Sequence, residues 1–376
     1  KLMDLQLTAG VYAPVAPWLQ LGAHYLYHRN TESVLFSTFG KTDRVYKTLI
    51  DYANFTGTVE QFGADGYTDR SREMPLVNDC NGGGIAFNVQ CSMFSLYNAF
   101  TYAHRRGYYG RKSPYTITYT DHESDVYTYT ARLTHQLNRL RHYLDLTIQA
   151  ENLQNNAATF REQQNDAGAT YYEYYTPVKT ANKLWVDGTV SYTIDLWPRS
   201  EFEAWQGMLL PTWTFCAAMN WMHRKQTAYL YPYYRRQTLD NNVYAISITR
   251  NIVCKRGVWS LTADAAFLKG SGQPCENFTF AAASTLRSAS SDPAATPADM
   301  QQAPASMDAY LYREYQWLTA AQYQIGGTVK YAFIFPSTKM KTYVKASLSH
   351  RKSNETNIYS AGCDRTTATI ATGCCF

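Results

Sequence analysis

Residues 183–198 read KLWVDGTVSYTIDLWP, and this stretch restricts the possible folds more than any other. Leu184, Val186, Gly188, Val190, Tyr192, Ile194 and Leu196 share one parity; Lys183, Trp185, Asp187, Thr189, Ser191, Thr193 and Asp195 share the other. Side chains alternate sides along a strand, so this pattern specifies a strand with one apolar and one polar face. It persists for about fourteen residues, longer than the usual five or six of a soluble strand.

The pattern recurs along the chain. Met3, Leu5, Leu7, Ala9 and Val11 alternate with Asp4, Gln6, Thr8 and Gly10, and Leu19 to Tyr27 alternate with Gln20, Gly22, His24, Leu26 and His28. Tyr127 to Leu133, Leu144 to Ala150, Trp259 to Phe267, Tyr323 to Phe333 and Val344 to Leu348 repeat it, giving roughly thirteen strands. The composition agrees, with 32 tyrosines, only 17% charged residues and a mean hydropathy of −0.40. Tyrosine and threonine suit pleated, half-buried surfaces. The charge-free run from Trp205 to Met222 is interrupted by Pro211 and Asn220 and alternates from Thr212, so it predicts a turn and a strand rather than a membrane helix.

The connections sort by length. Short ones are predicted at Pro14–Pro17, Cys91–Ser95, Gln136–Leu140, Val253–Arg256 and Phe335–Thr338, with a somewhat longer one at Pro198–Met208. Between them fall long ones at about 38–82, 107–122, 157–181, 232–240, 269–308 and 351–364, of which 281–306 is rich in Ala, Ser and Pro. Strict alternation of short and long connections is the habit of transmembrane up-and-down barrels, with tight periplasmic turns and long external loops. A soluble sandwich or propeller, the competing all-β fold, has no reason to sort its loops by end.

The fold class expected is therefore all-β, an antiparallel up-and-down transmembrane barrel forming a single domain over 1–376, with 38–82 and 269–308 as long external loops. Trp18, Trp197, Trp213 and Trp259 lie beside the short turns, as an interfacial aromatic girdle would. Asp4, His24, Arg132, Asp145, Glu151, Asp187, Asp195, Asp264 and Lys345 occupy the polar parity and are expected to face a lumen. The last strand carries Ile370, Thr372, Cys374 and the terminal Phe376 on one parity, which resembles the C-terminal signal of bacterial outer-membrane barrels and implies a periplasmic C-terminus. Tracing back from it, the first strand also runs downward. An upward strand is expected before Lys1, for about fourteen in the intact wall, together with an export signal upstream.

KLMDLQLTAGVYAP, LYNAFTYAHRRGYYGRK and the terminal Phe376 resemble a family of Bacteroidota outer-membrane β-barrels of unknown function. The resemblance covers most of the chain, and the usual member carries an additional N-terminal region. It implies the fold and the compartment, and it brings no catalytic residues.

Chemistry-bearing residues are sparse. His24 and His28 are ~13 Å apart if they share a strand face, too far to chelate one ion, and His104, His122, His135, His142, His223 and His350 form no metal motif, so no metal or cofactor is expected. Thr120-Asp121-His122-Glu123-Ser124 holds the ingredients of a triad, but adjacency in sequence does not create one, and a polar external loop is the expectation. Eight dispersed cysteines leave pairing open; Cys80, Cys275 and Cys363 are expected in external loops, where a bridge or free thiols would serve equally.

Basic residues gather at the expected external end: Arg105, Arg106, Arg111 and Lys112, then Arg235 and Arg236, then Arg351. Guanidinium groups match phosphate geometry, which makes these candidate lipopolysaccharide or anion contacts, against ordinary solubilising charge. The net charge of +5 is mild, and neither zinc-finger spacing nor a P-loop occurs, so no nucleic-acid partner is expected. The expected partners are membrane lipid, lipopolysaccharide and other outer-membrane proteins. Two functions remain open, a small-solute pore and a non-conducting subunit of a larger outer-membrane assembly; an enzyme is not expected.

Overall fold

A computed structural model describes residues 2–34, 46–50, 58–62, 74–113, 116–198, 210–230, 233–279, 308–334, 340–355 and 363–375. In chain order the strands are β1 (Leu2–Ala16), β2 (Leu19–Val34), β3 (Tyr46–Ile50), β4 (Thr58–Phe62), β5 (Met74–Gln90), β6 (Phe94–Ser113), β7 (Thr116–Leu137), β8 (Leu140–Ala157), β9 (Phe160–Gln164) and β10 (Thr170–Tyr174). They continue with β11 (Val178–Leu196), β12 (Trp213–Leu230), β13 (Tyr233–Cys254) and β14 (Gly257–Thr279); helix α1 (Asp308–Thr319) follows, then β15 (Gln322–Ile334), β16 (Lys341–Ser353) and β17 (Arg365–Cys375).

Thirteen strands form one antiparallel sheet in the order β1-β2-β5-β6-β7-β8-β11-β12-β13-β14-β15-β16-β17. It is a meander, each strand pairing with the next long one. β3–β4 and β9–β10 are separate hairpins within two of the connections. Among the described residues β1 and β17 each pair on one side only, so the expected fourteenth strand and the closure of the ring are not seen here.

The register explains the faces. Residues directly opposite in an antiparallel ladder project to the same side. One row runs through His24, Gly84, Thr101, Thr128, Gln149, Asp187, Met222, Asn241 and Gly270, predominantly polar or small. A neighbouring row on the other face runs through Ala23, Ile85, Phe100, Tyr129, Ile148, Gly188 and Trp221. Val11, Ile85, Ile246, Ile325 and Ile370, all on that second face, are 64–81% exposed. No protein layer covers it among the described residues. The few buried apolar side chains are mostly small (Ala103, Ala181, Ala228), and a minor cluster joins Ala320, Cys363 and Trp317.

Strands outlast their apolar stripe. On β7 the apolar face reads Tyr127, Tyr129, Ala131 and Leu133, but above Tyr127 it becomes Asp125, Glu123 and Asp121. The connections expected at 107–122 and 232–240 are accordingly largely strand: β6 runs to Ser113, β7 starts at Thr116 and β13 starts at Tyr233. The backbone ladder extends past the point where burial would reward alternation. β14 likewise continues to Thr279, and the expected loop 269–308 is followed by a helix that was not expected. The tight turns at 17–18, 138–139 and 255–256 agree with expectation, Asn138 supplying the positive φ of 51° that a two-residue hairpin requires. Most of 38–82, the turns at Pro198–Met208 and Phe335–Thr338, and Phe376 lie wholly or largely outside the described residues.

Gly188 shows how closely the apolar face is packed. It stands opposite Trp221, and a Cβ there would come within 1.9 Å of the indole. Gly188→Ala is expected to push the ring off the sheet and cost about 1–3 kcal/mol, read by urea unfolding in detergent. Adding Trp221→Ala should remove most of that penalty.

Candidate functional site

The polar face is the one that bears concentrated chemistry. The register puts all nine candidate residues, from Asp4 and His24 on β1 and β2 to Asp264 and Lys345 on β14 and β16, on this face. They are spread across the sheet rather than gathered. Asp4 meets His28 at 2.5 Å, Arg132 donates to Asp145 at 2.5 Å, and Asp195 accepts from Thr214 Oγ1 at 2.6 Å. Arg105 is bonded to Glu151 and donates from Nε to Ser124 Oγ at 3.0 Å.

Around β11 and β12 the polar face becomes a built site. Cross-strand pairing sets Trp185 beside both Glu151 and Arg224. The Lys183 ammonium lies 3.9 Å from the Trp185 ring centroid, and the Arg224 guanidinium carbon lies 5.9 Å from it. Arg224 is 7% exposed and donates from Nη2 to Gln237 Oε1, which Gln226 also engages at 2.6 Å. Its two terminal nitrogens reach Glu314 of α1 at 2.9 and 2.7 Å, the forked geometry that guanidinium and carboxylate favour.

That fork is one of several contacts that seat α1 on the polar face. Asn241 Nδ2 donates to Leu318 O at 2.5 Å, and Tyr315 Oη donates to Gly272 O at 3.1 Å. Gly270 permits the approach, because a Cβ on it would stand 2.4 Å from Leu318 O. Gln322 Nε2, at the start of β15, closes on Trp317 O. The seat lies near the end of the sheet where the apolar stripe on the opposite face gives way to charge, at His223 and Lys225 on β12 and Asp240 on β13.

The opposite face carries a second set of pairs at that end. Arg29–Asp79 (3.7 Å), His104–Asp125 (2.9 Å) and His223–Asp240 (2.7 Å) sit just beyond Tyr27, Tyr102 and Trp221. These aromatics, with Tyr127, Tyr244, Phe267 and Tyr323, trace an upper girdle that the sequence reading missed; the signal is present but emerges only once register aligns the strands. At the short-turn end Trp213 stacks on Phe215, Trp259 meets Tyr331 in a tilted ring pair, and Trp18 is exposed in its turn. Trp197 departs from the expected girdle: the guanidinium of Arg141, a polar-face residue, lies over its ring at 4.7 Å.

Several expectations change on the same geometric ground. Arg105 and Arg106 are neighbours in sequence but point to opposite faces, Arg106 Nε donating to His104 Nε2 at 2.9 Å. Arg351 is engaged with Gln324 Oε1 on the polar face, and Arg236 is half-buried in β13, so the basic residues do not make one patch. The side chains of Arg111, Lys112 and Arg235 lie outside the described residues. Thr120–Ser124 is strand, not loop; Thr120, His122 and Ser124 are buried, while Asp121 and Glu123 take the other parity, so no triad assembles. His122 Nε2 instead meets Asn78 Oδ1 at 2.6 Å. Cys80 is a free, buried thiol within β5 rather than a loop residue; Cys363 is also free and buried. Among the described residues no His, Cys, Asp or Glu side chains gather as metal ligands.

Replacing Arg224 by Gln is expected to weaken the seating of α1 by about 2 kcal/mol, the worth of hydrogen bonds to a charged group. Faster tryptic cleavage after Arg313, with the sheet's circular dichroism unchanged, is the expected readout. Gly270→Val should have the same effect by steric exclusion.

Residues 1–376 match the sequence family described as "Family of unknown function (DUF6850)". The chain is similar in structure to the siderophore receptor PiuA of Acinetobacter baumannii, with a TM-score of 0.44 and 11% identity over 95% of this chain and 55% of that one. It is also similar to the ferric citrate transporter FecA in its unliganded form (TM-score 0.39, 9% identity, 98% and 55% covered). The beta domain of the Bordetella autotransporter Brka gives a TM-score of 0.32 at 7% identity, over 80% and 90%. The chain spans about half the length of the first and second of these, 55% in each case. No curated protein matches the sequence.

Proposed function

We propose that this chain, which belongs to the DUF6850 family, is the wall of a bacterial outer-membrane β-barrel that passes small solutes. The observation that carries the reading is the uncovered apolar face. It runs across thirteen strands, between a Trp-containing girdle and a Tyr-rich one, and changes to charged pairs beyond the second. Soluble monomers seldom expose contiguous apolar patches beyond a few hundred Å². Lipid is the medium that matches this one, and its headgroups would meet Arg29, Arg106 and His223.

The upper edge of the apolar face also runs obliquely to the hydrogen-bonded rows. The row of Tyr102 reaches β11 at Val186, whereas the row of Tyr323 reaches it at Val190. Tilted strands of a barrel produce this stagger. In hydrocarbon the free edges of β1 and β17 have no water to bond, so the reading requires both to be paired in a ring of about fourteen or more strands. No catalytic role is assigned to the chain. On this reading the short-turn end and the C-terminus face the periplasm.

A non-conducting wall of a larger assembly is the second reading. It is favoured by the closed ion pairs and the docked α1, which take up part of the polar side.

In planar bilayers the purified protein is expected to give discrete conductance steps; silence at every voltage would remove the pore and leave the second reading. The membrane itself is tested separately. Ile248→Lys, at the middle of the apolar stripe of β13, should cost about 2–4 kcal/mol in lipid. Ser247→Lys, on the polar parity beside it, should cost far less.

A further inference from the structure

Three cations and two carboxylates meet where α1 touches the wall. Arg105 is spoken for by Glu151, and Arg224 by Glu314. Lys183 remains with its ammonium over the Trp185 ring and within electrostatic reach of Arg224, Glu151, Glu314 and Arg105. Among the described residues the cluster therefore sets three cations against two carboxylates. Two further donors point the same way: Trp185 Nε1 and Arg224 Nε are buried and find no hydrogen-bond acceptor among the described residues. Buried donors without acceptors are uncommon and mark places where a partner is lacking.

The two members of the Arg224–Glu314 pair are not equivalent. Arg224 belongs to the wall: its side chain is 9% exposed and Gln237 fixes it in place. Glu314 arrives on α1, with a side chain 40% exposed. A carboxylate from the connection between β14 and β15 thus occupies a site that the wall lines with Arg224, Lys183 and the Trp185 indole, the wall's own carboxylate, Glu151, being held by Arg105.

We propose that Arg224, Lys183, Trp185 and Gln237 form a carboxylate-binding seat on the polar face, filled in this structure by Glu314 and open to a small soluble carboxylate that displaces it. A solute anion would take the forked bonds of Arg224 and add direct contacts to the Lys183 ammonium, which Glu314 reaches only electrostatically, and to the idle indole N–H. Displacing Glu314 removes the main polar anchor at the middle of α1. Binding and helix release are then two sides of one equilibrium, and each must weaken the other. Use of the seat by a passing solute rests on the pore reading; binding itself does not.

The test is calorimetric titration of the detergent-solubilised full chain with citrate, with sulfate and glucose as comparisons. Citrate is expected to bind saturably, and Glu314→Gln, which vacates the seat, to bind it about tenfold tighter, one step of 1.4 kcal/mol. Lys183→Gln should weaken citrate by a similar factor and leave the tryptic stability of α1 nearly unchanged. Should Arg224→Gln fail to fold, as judged by heat-dependent gel mobility, the Lys183 and Glu314 variants still decide. Citrate binding no tighter to Glu314→Gln than to the parent would overturn the proposal, because it denies competition. Equal binding of citrate and sulfate that disappears at moderate salt would mean an adventitious ion only, and also overturns it. Citrate binding without bilayer conductance would keep the seat and reject the pore.

Discussion

An antiparallel ladder couples every strand to its neighbours through one rule: directly opposed residues project to the same side. Thirteen strands in a simple meander carry that rule across the whole sheet without interruption. A single parity choice on β11, with Leu184 on one side and Asp187 on the other, therefore settles which side His24, Gln149 and Gly270 occupy. One slipped residue would turn a strand's charges onto the apolar face. The register shifts in the described ladders lie near strand ends, at Pro14/Ala16, Tyr109/Gly110, Gly110/Ser113, Lys179/Ala181 and Arg236/Thr238, away from the stripe that must stay in phase.

The polar side is organised by pairing. Burying an ion without a partner is costly, and removing one member of a buried pair costs more than the pair contributes. Arg105, the exposed Arg132 and Arg224 each face a carboxylate, and burial bears on the first and third. The third of these is the unusual one, since its partner comes from outside the sheet. Gly270 and Gly272, the helix carbonyl at Leu318 and the Tyr315 hydroxyl give α1 a fitted position, and Leu239 is fully buried on the same face. A segment joining two strands has become part of the surface that a solute would meet.

Much of this was legible in sequence, for a physical reason. Alternation reports a two-faced strand wherever one face is apolar, so the stripes of β1, β2, β8, β11, β14, β15 and β16 and the polar parity of Asp187 and Asp195 could be read directly. It falls silent where both faces are polar. That is why the extensions of β6, β7 and β13 read as loops, and why Thr120–Ser124 appeared to be one. Helix α1, DAYLYREYQWLT, carries Leu311, Tyr315 and Leu318 at helical spacing, too short a run to stand out beside long alternating strands, and it docks through Glu314, Tyr315, the Leu318 carbonyl and the packing of Trp317 on Ala320 and Cys363. Arg224 was invisible as a site residue because its partner lies 90 positions away.

The central claim is that the uncovered face meets lipid while the other meets water. Nitroxide labels placed singly at each position from 243 to 251 on β13, in protein reconstituted in phospholipid vesicles, test it most directly through their collisions with oxygen and with a water-soluble nickel chelate. The account predicts a period of two, with oxygen favoured at the even positions Tyr244, Ile246, Ile248 and Arg250, and the chelate relatively favoured at Ala245, Ser247 and Thr249. Even positions shielded from oxygen, or as open to the chelate as their neighbours, would contradict it.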